Sequence, residues 1–298
     1  MILRYWIGCI ILCAVQIQAE SFSELQVRLA HEFNVSQEEL NVYQKWLNQK
    51  VQACSDPRIE LFEARLTCMR EALYRGSSIL TDSVSVNSIE SLMPSQLIKE
   101  NKGGEGVYSF SALILAEHLG LRVTPVMLPE HIYLRFSNGR NWDPLDSGIA
   151  ITDDAYRKRD QLDPGTGRSA KSMSEVEYEG WIRFQIASAL DVQGSSEKSE
   201  QQLRIAQMLW ADPRVPIRLA LVQEERNHRK EGLHVLDSLW NWGARSEELV
   251  WTKAMMMVRS GTGVARIFQF VEDAIGRRIE SGRLIQLRDQ LAQGLAAE

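Results

Sequence analysis

Gly103-Gly104-Glu105-Gly106 leads, through Val107-Tyr108-Ser109, into Phe110-Ser-Ala-Leu-Ile-Leu-Ala-Glu-His-Leu119-Gly120. This reads as a glycine-rich turn feeding an apolar helix that Gly120 closes. Val123-Thr-Pro-Val-Met-Leu128 follows and has the composition of a strand. Pro129-Glu130-His131 separates it from a second strand, Ile132-Tyr-Leu-Arg-Phe136, and Ser137-Asn138-Gly139 supplies a turn. The stretch ends in Asn141-Trp-Asp-Pro-Leu-Asp146-Ser-Gly148. A helix and a hairpin with an imidazole and several carboxylates at their ends predict an α+β domain with a polar site.

The order of helix, strand, His, strand and Asp resembles the transglutaminase-like superfamily. Within it the SirB-type N-terminal domain is the nearest likeness, a bacterial form often followed by tetratricopeptide repeats. Such domains close the helix with Leu-Gly-Leu, and a Pro-Gly-His tripeptide falls eleven residues after that Gly. Here Leu119-Gly120-Leu121 is followed by Pro129-Glu130-His131, with His131 eleven residues after Gly120. The resemblance implies a papain-like arrangement: a nucleophilic Cys at the helix start, a His as general base and an Asp to orient it. It places His131 at the base. Trp142-Asp-Pro-Leu-Asp146 resembles the family's Trp-x-Pro-Leu-Asp and puts Asp146 at the orienting acid, with Asp143 as its competitor.

The departure lies at the nucleophile. Fifteen residues before Gly120, where the family has Cys, stands Glu105, and no Cys follows Cys68. A carboxylate does not replace a thiolate, which joins high nucleophilicity to a usable pKa. Ser109 and Ser111 are the hydroxyls near the helix start, but they lie one to two turns inside it. An imidazole with two carboxylates is also a donor set for a metal ion, and Asp-Pro and Asp-Ser-Gly are ordinary turn residues. The expectation is a relic site of Glu105, His131 and Asp146 or Asp143, with no metal and no cofactor. The competing reading is a hydrolase or acyl-transferase in which another group replaces the nucleophile and works with His131 and Asp146.

The N-terminus carries an address. Arg4 gives a positive start, Tyr5 to Ile17 is apolar, and Ile17-Gln18-Ala19 ends it with a small residue before Glu20. This is the form of a secretory signal peptide at residues 1–19, and thirteen apolar residues are too few to span a bilayer comfortably. A secreted or periplasmic protein is expected, with no stable membrane span after cleavage. A net charge of −5 and the lack of any Lys/Arg-rich block argue against a nucleic-acid partner.

Cys9 and Cys13 belong to that leader, which leaves Cys54 and Cys68. An oxidising compartment favours a bridge between them. A helix opening at Asp56-Pro57 opposes it, because it carries Cys68 about 16 Å along its axis. The chain back to Cys54 recovers only about 10 Å, which leaves the pair at the ~7 Å edge of the Cα limit.

Length allows about two domains on a ~150-residue prior. In the first, Leu25, Leu29 and Phe33 line one helical face, and Ser36-Gln-Glu-Glu39 is a capping box opening a second helix. Thr152-Asp-Asp-Ala-Tyr156 reads as a later helix start, and Asp163-Pro-Gly-Thr-Gly167 as a break. Beyond Ser174 the pattern is helix after helix with a period of 34: Ile217 with Trp251, Ala220 with Ala254, Val222 with Met256, Leu233 with Ile267, Leu236 with Phe270. A further unit shows at an offset of 30, Leu203, Ala206 and Leu209 before Leu233, Leu236 and Leu239. This resembles tetratricopeptide repeats, whose stacked helix pairs hold peptides or proteins. The expected organisation is a transglutaminase-like domain at 20–162, a linker at 163–174 and helical repeats at 175–298. The expected function is binding of a protein or peptide partner.

Overall fold

The structure is a computed structural model, and it describes residues 20–55, 62–75, 78–79, 89, 92–94, 102–128, 131–144, 170–279 and 281–297. The leader at 1–19, the helix starts at Asp56 and Thr152, Asp146 and the break at 163–167 lie outside these residues. Among the described residues there are eleven helices and a small four-stranded antiparallel sheet, so the chain is α+β with a long helical region.

Three helices come first: α1 (Phe22–Glu32), α2 (Gln37–Cys54) and α3 (Phe62–Tyr74). Ser36 and Glu39 form the expected capping box, and Ser21 with Glu24 forms a second one at α1. Cys54 and Cys68 are bridged, with Cα atoms 5.6 Å apart. Cys54 closes α2 and Cys68 lies in α3, so the bridge ties these two helices together.

Two short strands, β1 (Ser78–Ile79) and β2 (Lys102–Gly103), pair in parallel. Then comes α4 (Glu105–His118), whose residues from Val107 to Ala116 are all buried. A helix apolar all round belongs inside a core, and α4 packs against α1, α2, α3 and the sheet. Gly120 closes it at φ +67°, a left-handed conformation that a side chain would strain. The hairpin is β3 (Val123–Met127) with β4 (Ile132–Phe136), and after β4 the chain turns at Gly139 with φ +83°. β5 (Asn141–Trp142) and β6 (Lys171–Ser172) complete the order β5-β4-β3-β6.

β6 changes the reading of the expected linker. Lys171 and Ser172 pair with Met127 and Val126, and Met173 is buried. The chain therefore reaches the helical region as an edge strand. α5 (Glu175–Val192) opens on a capping box at Ser174 and Glu177. Its Tyr178 packs edge-on against Phe22 of α1 and Phe110 of α4, and the Trp181 ring lies against Gly106. Buried side chains run without interruption from α1 to Val222, so the hydrophobic core does not divide at the expected boundary.

The remaining helices are α6 (Ser196–Leu209), α7 (Arg214–Glu225), α8 (Arg229–Asn241), α9 (Glu247–Arg259), α10 (Val264–Gly276) and α11 (Gly282–Ala297). They pack in sequential order, α5 on α6 and α7 on α8 most extensively. Gly180 and Gly232 permit those close approaches: a Cβ on Gly180 would lie 2.5 Å from the Trp210 Cβ, and one on Gly232 would lie 2.7 Å from the Ala220 carbonyl oxygen. α6 and α8 begin 33 residues apart, at Ser196 and Arg229, so the first unit is not shortened to 30. An offset in error by about one turn still matches the same helix face, because a turn is 3.6 residues. Met256 and Met257 are core residues. No described helix is long and apolar enough to cross a membrane.

Candidate functional site

Glu105 is the first residue of α4. The N-cap, Gly104, has no side chain to cap the helix, and the positive end of a helix favours a carboxylate. His131 precedes β4, where its carbonyl accepts from Leu128 N at 2.7 Å. Asp143 comes directly after β5, one step beyond the Leu134–Trp142 pair. The register of the sheet thus brings an acid from β5 to an imidazole from β4, above the start of α4.

The three side chains form a line. His131 Nδ1 lies 2.5 Å from Glu105 Oε1, and His131 Nε2 lies 3.1 Å from Asp143 Oδ2. Ile132 N–H donates to the same Glu105 oxygen, which fixes the carboxylate from the backbone. His131 is 6% exposed and Asp143 is fully buried. Burial alone would lower the imidazole pKa, but the hydrogen bonds to Asp143 and Glu105 and their charges outweigh it and raise the pKa to about 9. Both ring nitrogens then donate, which only the imidazolium can do.

That state has a stability consequence. The folded pKa lies above the ordinary 6.5, so the contribution of the charged His131 is complete below pH ~6.5 and fades as pH rises through ~9. It has a chemical consequence too. A general base needs a nitrogen lone pair, and here each ring nitrogen is engaged by a carboxylate.

The described geometry of Glu105, His131 and Asp143 does not suit a metal ion. The two carboxylates sit on opposite nitrogens of one ring, so an ion touching one nitrogen cannot reach the other acid, and no three described residues are arranged to hold a metal. Ser109 does not replace the nucleophile. Its Oγ donates to the Gly106 carbonyl at 3.0 Å and meets the Tyr178 hydroxyl at 3.0 Å, inside the α4–α5 interface. Ser111 Oγ is buried without a hydrogen-bond partner. Of the two candidate acids, Asp143 lies at His131, and Asp146 lies outside the described residues.

Tyr74 was not singled out by sequence, yet it braces the site. Its hydroxyl donates to the Pro144 carbonyl at 3.0 Å and accepts from Trp142 Nε1 at 3.3 Å, and its ring stacks on Tyr108 at 4.8 Å. A cavity of about 720 Å³ is lined by Arg122, Arg135 and Phe136 among others, at the opposite end of the hairpin, and none of the three site residues borders it. In the repeats Trp240 packs edge-on against Phe270 at 5.1 Å with Arg245 over its face, while Trp242 is 85% exposed. No family model matches the chain, and no curated protein matches it.

Proposed function

We propose that the chain is an exported, catalytically silent protein of the transglutaminase-like, SirB-type kind. It binds a protein or peptide partner in the cell envelope through its helical repeats. The observation that carries this reading is the closed line Glu105–His131–Asp143. Glu105 stands at the helix start where the resemblance expects the thiol, and it points at the residue expected to be the base. The Cys54–Cys68 bridge supports a life in an oxidising compartment. The run of paired helices from α5 onward supports a binding role. The rival acyl-transfer reading draws no support from Ser109, whose hydroxyl is spent inside the core.

The test is an NMR titration of His131. The parent imidazole titrates near 9. In Glu105→Ala one of the two carboxylates is gone, and the titration moves downward, toward the ordinary range. An unchanged midpoint separates Glu105 from His131 and removes the support for the reading. Amidase, esterase and transamidase assays of the parent protein are expected to give no turnover.

A further inference from the structure

Two buried glutamates in the repeats are each clasped by two arginines. Glu200 pairs with Arg204 at 2.6 Å and with Arg226; Glu224 pairs with Arg229 at 2.8 Å and Arg259 at 3.0 Å. Each group holds one cation more than it holds anions, on a chain whose net charge is −5. Local positive charge of this kind draws anions whatever the overall sign.

Beside the first group opens a cavity of about 410 Å³, lined by Arg204, Gln223, Lys230, Glu231, His234 and Val235. It lies between α6 and α8, the second helices of successive pairs, both of which pack on α7. Lys230 is exposed and stands in the first turn of α8, whose N-cap residue His228 makes no side-chain capping bond. The positive end of that helix adds to the charge of Lys230 and Arg204, against the one carboxylate, Glu231, that shares the first turn and the cavity wall.

Gln223 of α7 gives an independent sign of a ligand. It is 3% exposed. Its Nε2 donates to Glu200 Oε1 at 3.4 Å, which fixes the amide, because the reversed orientation would set oxygen against oxygen. Its Oε1 then has no hydrogen-bond partner. A buried acceptor without a donor is costly, and this one belongs to a residue that lines a cavity.

We propose that this cavity binds an acidic peptide segment. A side-chain carboxylate sits between Arg204 and Lys230, and a main-chain N–H donates to Gln223 Oε1. A fully deprotonated anion such as sulfate satisfies the cations but brings no donor, whereas a peptide brings both; Val235 offers a small apolar contact beside them. The proposal rests on the reading of the repeats as a peptide-binding region and names the place and the chemistry.

The test uses the full chain and two fluorescein-labelled peptides, acetyl-Gly-Ser-Glu-Gly-Glu-Ser-Gly and its Gln counterpart, followed by anisotropy. The Glu peptide is expected to bind at least about tenfold more tightly than the Gln peptide, the ratio that 1.4 kcal/mol provides. Lys230→Ala, which removes a cation with no ion pair among the described residues, is expected to weaken the Glu peptide several-fold and to leave the Gln peptide unchanged. Gln223→Leu is expected to weaken both. Equal binding of the two peptides, or a Lys230→Ala variant that binds like the parent, overturns this site and leaves the wider peptide-binding reading standing. No binding of either peptide at millimolar concentration overturns both.

Discussion

Arg183→Leu is expected to lower the unfolding free energy by about 3 kcal/mol, the lower end of the range for removing one partner of a buried ion pair. The Arg183 side chain is 4% exposed and reaches three elements at once. Its guanidinium donates to Glu32 of α1 at 2.9 Å, to Glu179 of α5 at 2.7 Å and to Gln202 of α6 at 2.6 Å. Arg28 of α1 adds a second pair to Glu179 at 2.9 Å. Leucine fills part of the volume but leaves Glu179 and Glu32 with one cation fewer. Glu32 is a third exposed, which places the expectation low in the range.

The pH dependence separates charge from packing. Burial would raise the Glu179 and Glu32 carboxyls, but their hydrogen bonds to the arginines hold both below the usual value of 4.5. Their contribution is therefore present above about 4.5 and is lost as pH falls through the lowered pKa values. Urea unfolding of parent and variant should differ most near neutrality and converge in acid. Arg140→Ala, which breaks an exposed pair to Glu63, should cost under about 1 kcal/mol. Equal effects at the two sites would mean that the network linking α1 to α5 and α6 is not a stabilising joint.

The Cys54–Cys68 bridge carries the second large effect. The two residues are 14 apart in sequence, and closing a loop of about 15 residues removes roughly 3 kcal/mol of denatured-state entropy. Cys54 is fully buried in the core beside Met69 and Leu73, so the bridge also holds α2 against α3. The double variant Cys54→Ser, Cys68→Ser should lose about that much in urea unfolding. Reductant should shift the parent to the same midpoint and add two hydrogens to its mass. A parent whose midpoint ignores reductant would show that the bridge constrains nothing.

The hairpin and its flanking helix were legible because local chemistry specifies them. Gly120 and Gly139 both take positive φ, as their places at a helix end and a turn require. The repeat period was legible because identical faces recur, although the first unit was misplaced by about one turn. The meeting of Asp143 with His131 was not legible. It depends on the register of a two-residue strand, β5, which is too short to carry a periodic pattern. The edge strand at Lys171–Ser172 was hidden for the same reason, inside a polar stretch that reads as linker. The undivided core was missed because Tyr178 and Trp181 meet α1 and α4 only in three dimensions. The pairing of Glu105 with His131 was expected from the resemblance, but the backbone bond from Ile132 N–H that anchors Glu105 had no sequence signal.

The central claim is that Glu105 occupies a nucleophile's place beside His131. Its most direct test is Glu105→Cys, made with Cys9→Ser and Cys13→Ser so that the new thiol is the one that reacts. A thiol at a helix N-terminus beside an imidazolium has a depressed pKa. The rate of iodoacetamide alkylation against pH reads that pKa directly. The expected result is a midpoint well below the ordinary ~8.5 of a free thiol, restored toward it by His131→Ala in the same background. A thiol of ordinary reactivity in a folded variant, indifferent to His131, would contradict the assignment.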